Sequence, residues 1–290
     1  MFISLCLSGF VCICSSALLS GVTYSPYNAK GCLSSDEIAV DLEAISQVTD
    51  RIRLYGADCD QSNQILSAIH GNGWNLRVVL GLWTQAGEAR LQSDLNAILD
   101  SLGDPVLSQA VQSIVVGNED IYNGMSESQV ISNLEHVRHT LRLSGYGKYQ
   151  VSYAEVFSLW TPNLVRHSDT IMASIYPFYS ENKGYPESVA QAAITSLGQL
   201  TQVAASLNAS KTLIVGETGY PNAGSAPAMF STPNATNQCA YLNSFRCNAG
   251  GLEYFFLEAK DGTWKGGYPT ERHFGLMNSD GSLRCLITPC

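Results

Sequence analysis

Eight short apolar runs, rich in β-branched residues, alternate with segments of helical period along this 290-residue chain, and their starts recur about every 33 residues. The runs are 21–25, 51–56, 76–83, 113–120, 149–156, 170–178, 212–218 and 251–258. Runs of this kind, bounded by polar and turn residues, predict strands buried on both faces, as in parallel sheets. Between them, apolar spacing predicts helices at 35–47, 61–70, 88–102, 127–143, 187–207 and 237–247. Only a short helix fits between the fifth and sixth runs. Eight alternations in one chain predict an α/β fold, a single (β/α)8 TIM barrel. The competing open doubly wound sheet calls for G-x-G-x-x-G after the first strand, and residues 21–31 hold no such turn. A composition 45% hydrophobic and 14% charged supplies the core for one such domain.

Two of the runs end alike. Ser-Ile-Val-Val-Gly-Asn-Glu-Asp at 113–120 and Thr-Leu-Ile-Val-Gly-Glu-Thr-Gly at 212–219 each lead through a glycine to a glutamate. Chemistry in parallel barrels gathers at the strand C-termini, and strands four and seven can face each other across the mouth. One glutamate after a strand is usually a loop or cap residue. A matched pair predicts an acid and a base, Glu119 and Glu217, flanking one glycosidic bond. Retention needs carboxyls about 5–5.5 Å apart, and inversion a wider gap that admits water. Asn118, beside Glu119, is suited to a sugar 2-hydroxyl. Burial and the second carboxylate are expected to raise the pKa of the acid.

The net charge of -9 and pI near 5 argue against nucleic acid and anionic membranes as partners, leaving a neutral substrate as the better fit. Residues 1–19 carry no charged side chain and lead through Ser15-Ser16-Ala17, which predicts a secretory signal peptide over 1–20 and a catalytic domain over 21–290. An uncleaved anchor is the competing reading of that segment. Loss of Cys6, Cys12 and Cys14 leaves six cysteines, an even number that favours disulfides in a secreted chain and allows 15 pairings. Cys32 with Cys59 is the favoured pair, following the first and second strands; the pairing of Cys239, Cys247, Cys285 and Cys290 stays open. Asn208 and Asn234 stand in glycosylation sequons. His136 and His139 lie on one predicted helix but read as a solvated face, so neither metal nor cofactor is expected.

Val-Val-Gly-Asn-Glu-Asp at 115–120, Ser-Ile-Tyr-Pro-Phe at 174–178, Val-Gly-Glu-Thr-Gly-Tyr-Pro at 215–221 and Glu-Arg-His-Phe-Gly-Leu at 271–276 together resemble glycoside hydrolase family 17. They fall in family order over 21–284. Gly-Val-Thr-Tyr-Ser-Pro-Tyr at 21–27 and Arg-Leu-Tyr-Gly-Ala-Asp-Cys at 53–59 look like the fungal cell-wall branch. The resemblance implies a barrel acting on β-1,3-glucan with retention, with Glu119 as acid/base and Glu217 as nucleophile. One position departs from it: a pattern resembling E-A-F-D-E-P-W-K is here Glu258-Ala-Lys-Asp-Gly262-Thr-Trp264-Lys265, with glycine in place of the second glutamate.

The candidate substrate contacts are Asn118, Tyr176, Arg53, Tyr24, Trp264, Glu258 and Tyr220, with Trp83 and Tyr179 as further aromatic residues near strand ends. Tyr176 could bond the nucleophile or stack on a sugar. Glu155, ending the fifth strand, is the rival carboxylate. Asp58 and Asp120 read as caps or loop residues. A secreted monomer acting on β-1,3-glucan is therefore expected, as glucanosyltransferase, endoglucanase or both, because the two share their first half-reaction. The alternatives are a catalytically silent glucan-binding barrel or a barrel glycosidase for another β-glycan.

Overall fold

The computed structural model describes residues 18–179, 185–207, 210–226 and 230–290. Most of the expected signal peptide, and Asn208, lie outside the described residues. Eight parallel strands close into a barrel. They are β1 (Val22–Thr23), β2 (Arg51–Arg53), β3 (Arg77–Leu82), β4 (Val111–Asn118), β5 (Val151–Val156), β6 (Ile171–Ser174), β7 (Leu213–Thr218) and β8 (Glu253–Phe256). β1 pairs with both β2 and β8, which closes the ring and leaves no free edge.

Around it lie α1 (Ser35–Ser46), α2 (Gln61–Asn72), α3 (Glu88–Gly103), α4 (Glu127–Leu143), α5 (Pro162–His167), α6 (Pro186–Ser206) and α7 (Ala235–Asn248). Four of them, α1, α4, α5 and α7, start at a side chain that accepts an otherwise orphaned backbone N–H group. Ser34 and Glu37 form a reciprocal capping box on α1. Ser126 caps α4, Thr161 caps α5, and Asn234, one of the two glycosylation candidates, caps α7. After β8 the chain forms only a 3₁₀ turn at Pro269–Arg272 and irregular segments. The eighth helix of the ideal pattern is thus absent among the described residues.

Strand alternation divides the apolar side chains into two cores. Val79, Val115, Ala154, Met172, Ile214 and Phe255 fill the barrel. The opposite faces of the strands, among them Ile52, Leu80, Ile114 and Val215, pack against Leu42, Ile65, Leu95, Leu134, Leu197 and Phe245 of the helices. This explains why the strands read as unbroken apolar runs: both faces are buried.

Three disulfides are present among the described residues. Cys32–Cys59 clips a small antiparallel ribbon, Tyr27–Asn28 with Gly31–Cys32, to the segment after β2, as expected from sequence. Cys239–Cys285 and Cys247–Cys290 tie α7 to the C-terminal segment, resolving the pairing left open. Ahead of β1, Leu19 is buried and its N–H donates to Val48 O at 2.9 Å. A cut after Ala17 would retain that contact, and a cut after Ser20 would remove it.

Gly81 shows how tightly the barrel is drawn. A Cβ there would lie 2.4 Å from Leu54 O and 2.7 Å from Tyr55 Cα, both backbone atoms, whereas one at Gly71 in α2 would meet nothing within 4 Å. Gly81→Ala should lower the melting temperature by roughly 5 °C or more, as overpacking does. Gly71→Ala should raise it slightly, by about 1–2 °C, as a helical glycine replaced by alanine does. Equal melting temperatures for the two variants would contradict this packing.

Candidate active site

Both glycine–glutamate sequences end in irregular strand pairing. Along β4, Val115 pairs with Ser152 and Asn118 with Ala154, so β4 carries one residue more than β5. Along β7, Val215 pairs with Ala173 and Glu217 with Ser174, leaving Gly216 as the extra residue. Such bulges re-aim the side chains that follow them. Gly117 has φ +81° and Glu119 φ +54°, so the chain passes through left-handed backbone twice, once near the end of β4 and once just after it. A Cβ on Gly117 would come within 2.0 Å of Asp120 Oδ2, which restricts the position to glycine.

The turn is held from beneath. Asp120 accepts from Thr84 Oγ1 at 2.6 Å. Tyr153 Oη accepts from the N–H groups of Asp120 and Ile121 at 3.0 and 3.2 Å, and donates to Glu155 Oε2 at 2.5 Å. Glu155 also accepts from Ile121 N at 2.9 Å and Val156 N at 2.7 Å. The rival carboxylate is therefore fully buried and engaged in supporting the segment that carries Glu119.

Arg53, at the end of β2, joins the two strands across the barrel. Its Nη1 donates to Gly216 O at 2.8 Å and to Glu217 Oε1 at 3.1 Å, and its Nη2 donates to Asn118 Oδ1 at 2.6 Å. Its guanidinium carbon lies 5.0 Å from the Tyr55 ring centroid. Tyr176 Oη donates to Glu217 Oε2 at 2.6 Å. Each oxygen of Glu217 thus faces a donor, and the carboxylate is fixed in orientation.

Glu119 has the opposite surroundings. Burial first, then the charges of Glu217 and Glu155, push its pKa up to about 8, against smaller opposing effects of the Ser174 hydroxyl and Arg53. Glu258 is also raised, to about 7, by burial, with Lys265 opposing. One carboxyl that holds its proton near neutrality faces another held by cationic and phenolic donors, an arrangement able to deliver a proton on one side of a bond and a nucleophile on the other.

Of the predicted contacts, Arg53, Asn118 and Tyr176 converge on this pair. Glu258, 2% exposed, joins Lys265 at 2.5 Å, and Trp264 sits on the rim, 43% exposed. Tyr24 and Tyr220 do not line the mouth. Tyr24 is buried against α1, donating to Asp41 Oδ2 at 2.9 Å, because its neighbour Thr23 takes the position facing Tyr55. Tyr220 packs between Phe178 and Tyr241 and donates to Thr232 O. Trp83 is half-buried after β3, and Tyr179 donates to Glu271. Sequence reasoning missed Ser174, Tyr55, Tyr153 and Lys265. Only strand parity next to a known site residue could have singled out the first three. His136 and His139 lie on α4, and no three His, Cys, Asp or Glu side chains among the described residues could hold a metal ion.

The BtgE/BtgC glycoside hydrolase domain matches residues 21–275. The chain belongs to this family. The "Probable glucan endo-1,3-beta-glucosidase btgC" of Aspergillus fumigatus is 27% identical over 91% of this chain and 42% of its own length. The "Probable family 17 glucosidase SCW10" of Saccharomyces cerevisiae is 28% identical over 90% of this chain and 65% of its own. The chain thus spans about two fifths of the first relative and just under two thirds of the second. The fold is that of the family 17 β-1,3-glucanosyltransferase of Rhizomucor miehei, at TM-score 0.79 and 23% identity, covering 93% of this chain and 97% of the other.

Within this BtgE/BtgC-type domain, Gly262 has a physical consequence. A Cβ there would lie 2.8 Å from Lys265 Cδ and Cε and 3.0 Å from Glu258 Oε1. The Lys265 stem occupies the room a larger residue would need, and its ammonium reaches Glu258 instead. Lys265 and Glu258, both shared with the resembling pattern, pair beside the position where that pattern carries a second glutamate.

The raised pKa of Glu119 can be read directly. In ¹³C-carboxyl-labelled protein, the resonance that disappears in Glu119→Gln should titrate near pH 8, protonated below and ionised above. A midpoint near the ordinary glutamate value of about 4.3 would contradict the burial and charge coupling described here.

Proposed function

We propose that this chain is the catalytic unit of a secreted enzyme that cleaves β-1,3-glucan with retention, with Glu217 as nucleophile and Glu119 as acid/base. The observation that carries this reading is the asymmetry of the two carboxyls: Glu217 is bound by Arg53 and Tyr176, while burial and charge keep the proton on Glu119. The names of the relatives, a glucan endo-1,3-beta-glucosidase and a β-1,3-glucanosyltransferase, support the substrate.

Glu119 donates its proton to the glycosidic oxygen as a Glu217 oxygen attacks the anomeric carbon, so the C–O bond to the leaving sugar breaks and an ester to Glu217 forms. Glu119, now ionised, takes a proton from the incoming hydroxyl, whose oxygen displaces Glu217. Arg53 occupies the carbonyl oxygen of Asn118, which leaves the side-chain amide group to donate to the sugar 2-hydroxyl. The incoming hydroxyl belongs to water in an endoglucanase and to another glucan in a glucanosyltransferase. We favour transfer, in keeping with the resemblance to the fungal cell-wall branch.

Three disulfides, the sequon at Asn234 and the uncharged N-terminal segment support an extracellular or cell-wall location for a monomeric mature chain. No helix among the described residues is long and apolar enough to cross a membrane.

A reducing-end-labelled linear β-1,3-glucan hexasaccharide, followed by chromatography at low and high concentration, tests the reading. Products longer than the hexasaccharide, increasing with concentration, are expected; shorter products alone would make the enzyme a hydrolase. Glu217→Gln should lose on the order of 10⁴ in rate. An unchanged hexasaccharide with the native chain would point to another β-glycan or to a binding-only barrel.

A further inference from the structure

Beyond Glu217, on the side of the mouth formed by β8 and β1, a line of side chains runs outward that the two-carboxyl reaction does not use. Glu258 pairs with Lys265 at 2.5 Å. The Lys265 ammonium lies 5.9 Å from the Trp264 ring centroid, and the Trp264 ring meets Tyr27 at 5.2 Å with planes inclined at 59°. Trp264 is 43% exposed, while Lys265 beside it turns inward, its side chain only 17% exposed.

The Tyr27 side of that contact is fixed. Tyr27 donates to Asp58 Oδ1 at 2.5 Å and accepts from Gln61 Nε2 at 2.8 Å, and Arg90 holds the same Asp58 oxygen at 2.7 Å. The ribbon that carries Tyr27 is clipped by Cys32–Cys59. The exposed indole therefore rests on a braced aromatic side chain, the form of a preorganised surface. A β-glucopyranose ring carries its hydroxyls around the edge and C–H groups on its faces, and those faces pack on aromatic rings. The Lys265–Glu258 pair lies alongside to meet the edge.

β8 lies diametrically across the eight-strand ring from β4, which carries Glu119. Glu119 protonates the leaving sugar, so the line extends away from the leaving group, towards the glycan that remains bonded to Glu217. We propose that Trp264, backed by Tyr27, is an outer glycone platform that holds a glucose unit beyond the one undergoing reaction, with Lys265 and Glu258 positioning hydroxyls between. The inference rests on the reading of the substrate as β-1,3-glucan.

The test compares kcat/KM on labelled β-1,3-gluco-oligosaccharides of three to six units for the native chain, Trp264→Ala and Trp264→Phe. The advantage of the hexasaccharide over the trisaccharide should shrink about tenfold in Trp264→Ala, the scale of one lost aromatic contact, and be largely restored in Trp264→Phe. A ratio equal to that of the native chain, including an equal loss at every length, would overturn the platform and mark Trp264 as structural. If the native chain turned over none of these oligosaccharides, the substrate reading would fail and the platform with it.

Discussion

The arrangement at the barrel mouth depends on one buried cation. Arg53 is 1% exposed and spans from β2 to β4 and β7, bonding Asn118 Oδ1, Gly216 O and Glu217 Oε1. Without it Glu217 would be a buried carboxylate facing a second carboxyl, and breaking a buried pair of this kind costs about 3–5 kcal/mol. The same contacts fix the bulge at Gly216 and the side chain beside Glu119. Arg53 thus sets both the charge balance and the register of the two strands that supply the carboxyls.

The strand-four side carries a different constraint. Non-glycine residues in left-handed backbone cost of order 1–3 kcal/mol and persist only where surroundings enforce them. Here the enforcement is visible in Thr84, Tyr153 and Glu155, which grip Asp120 and Ile121 on the far side of Glu119. The strain places the Glu119 carboxyl in a poorly solvated position near Glu217, and that position raises its pKa. Geometry and acidity have one cause.

Much of this was legible in the sequence. Burial on both faces gives parallel strands an unbroken apolar pattern, so all eight were visible. Glu119, Glu217, Arg53, Asn118 and Tyr176 do meet at one place. Tyr24 and Tyr220 lie near the right strand ends but on the outward-facing parity, and bulges at Gly117 and Gly216 make parity unreadable without pairing partners. Motif position located the neighbourhood; hydrogen-bond register decided which side chains enter it. The Lys265–Glu258 pair was hidden for another reason: the two residues lie seven apart around an irregular loop and meet only once that loop has folded.

The proposed reaction requires Glu217 to take the sugar covalently. Incubation with an activated 2-deoxy-2-fluoro laminaribioside, which slows release of the intermediate, followed by peptic digestion and mass spectrometry, tests it most directly. A single labelled peptide, modified at Glu217, is expected. A label on Glu119 or Glu155, or turnover of glucan with inversion at the anomeric carbon, would contradict it.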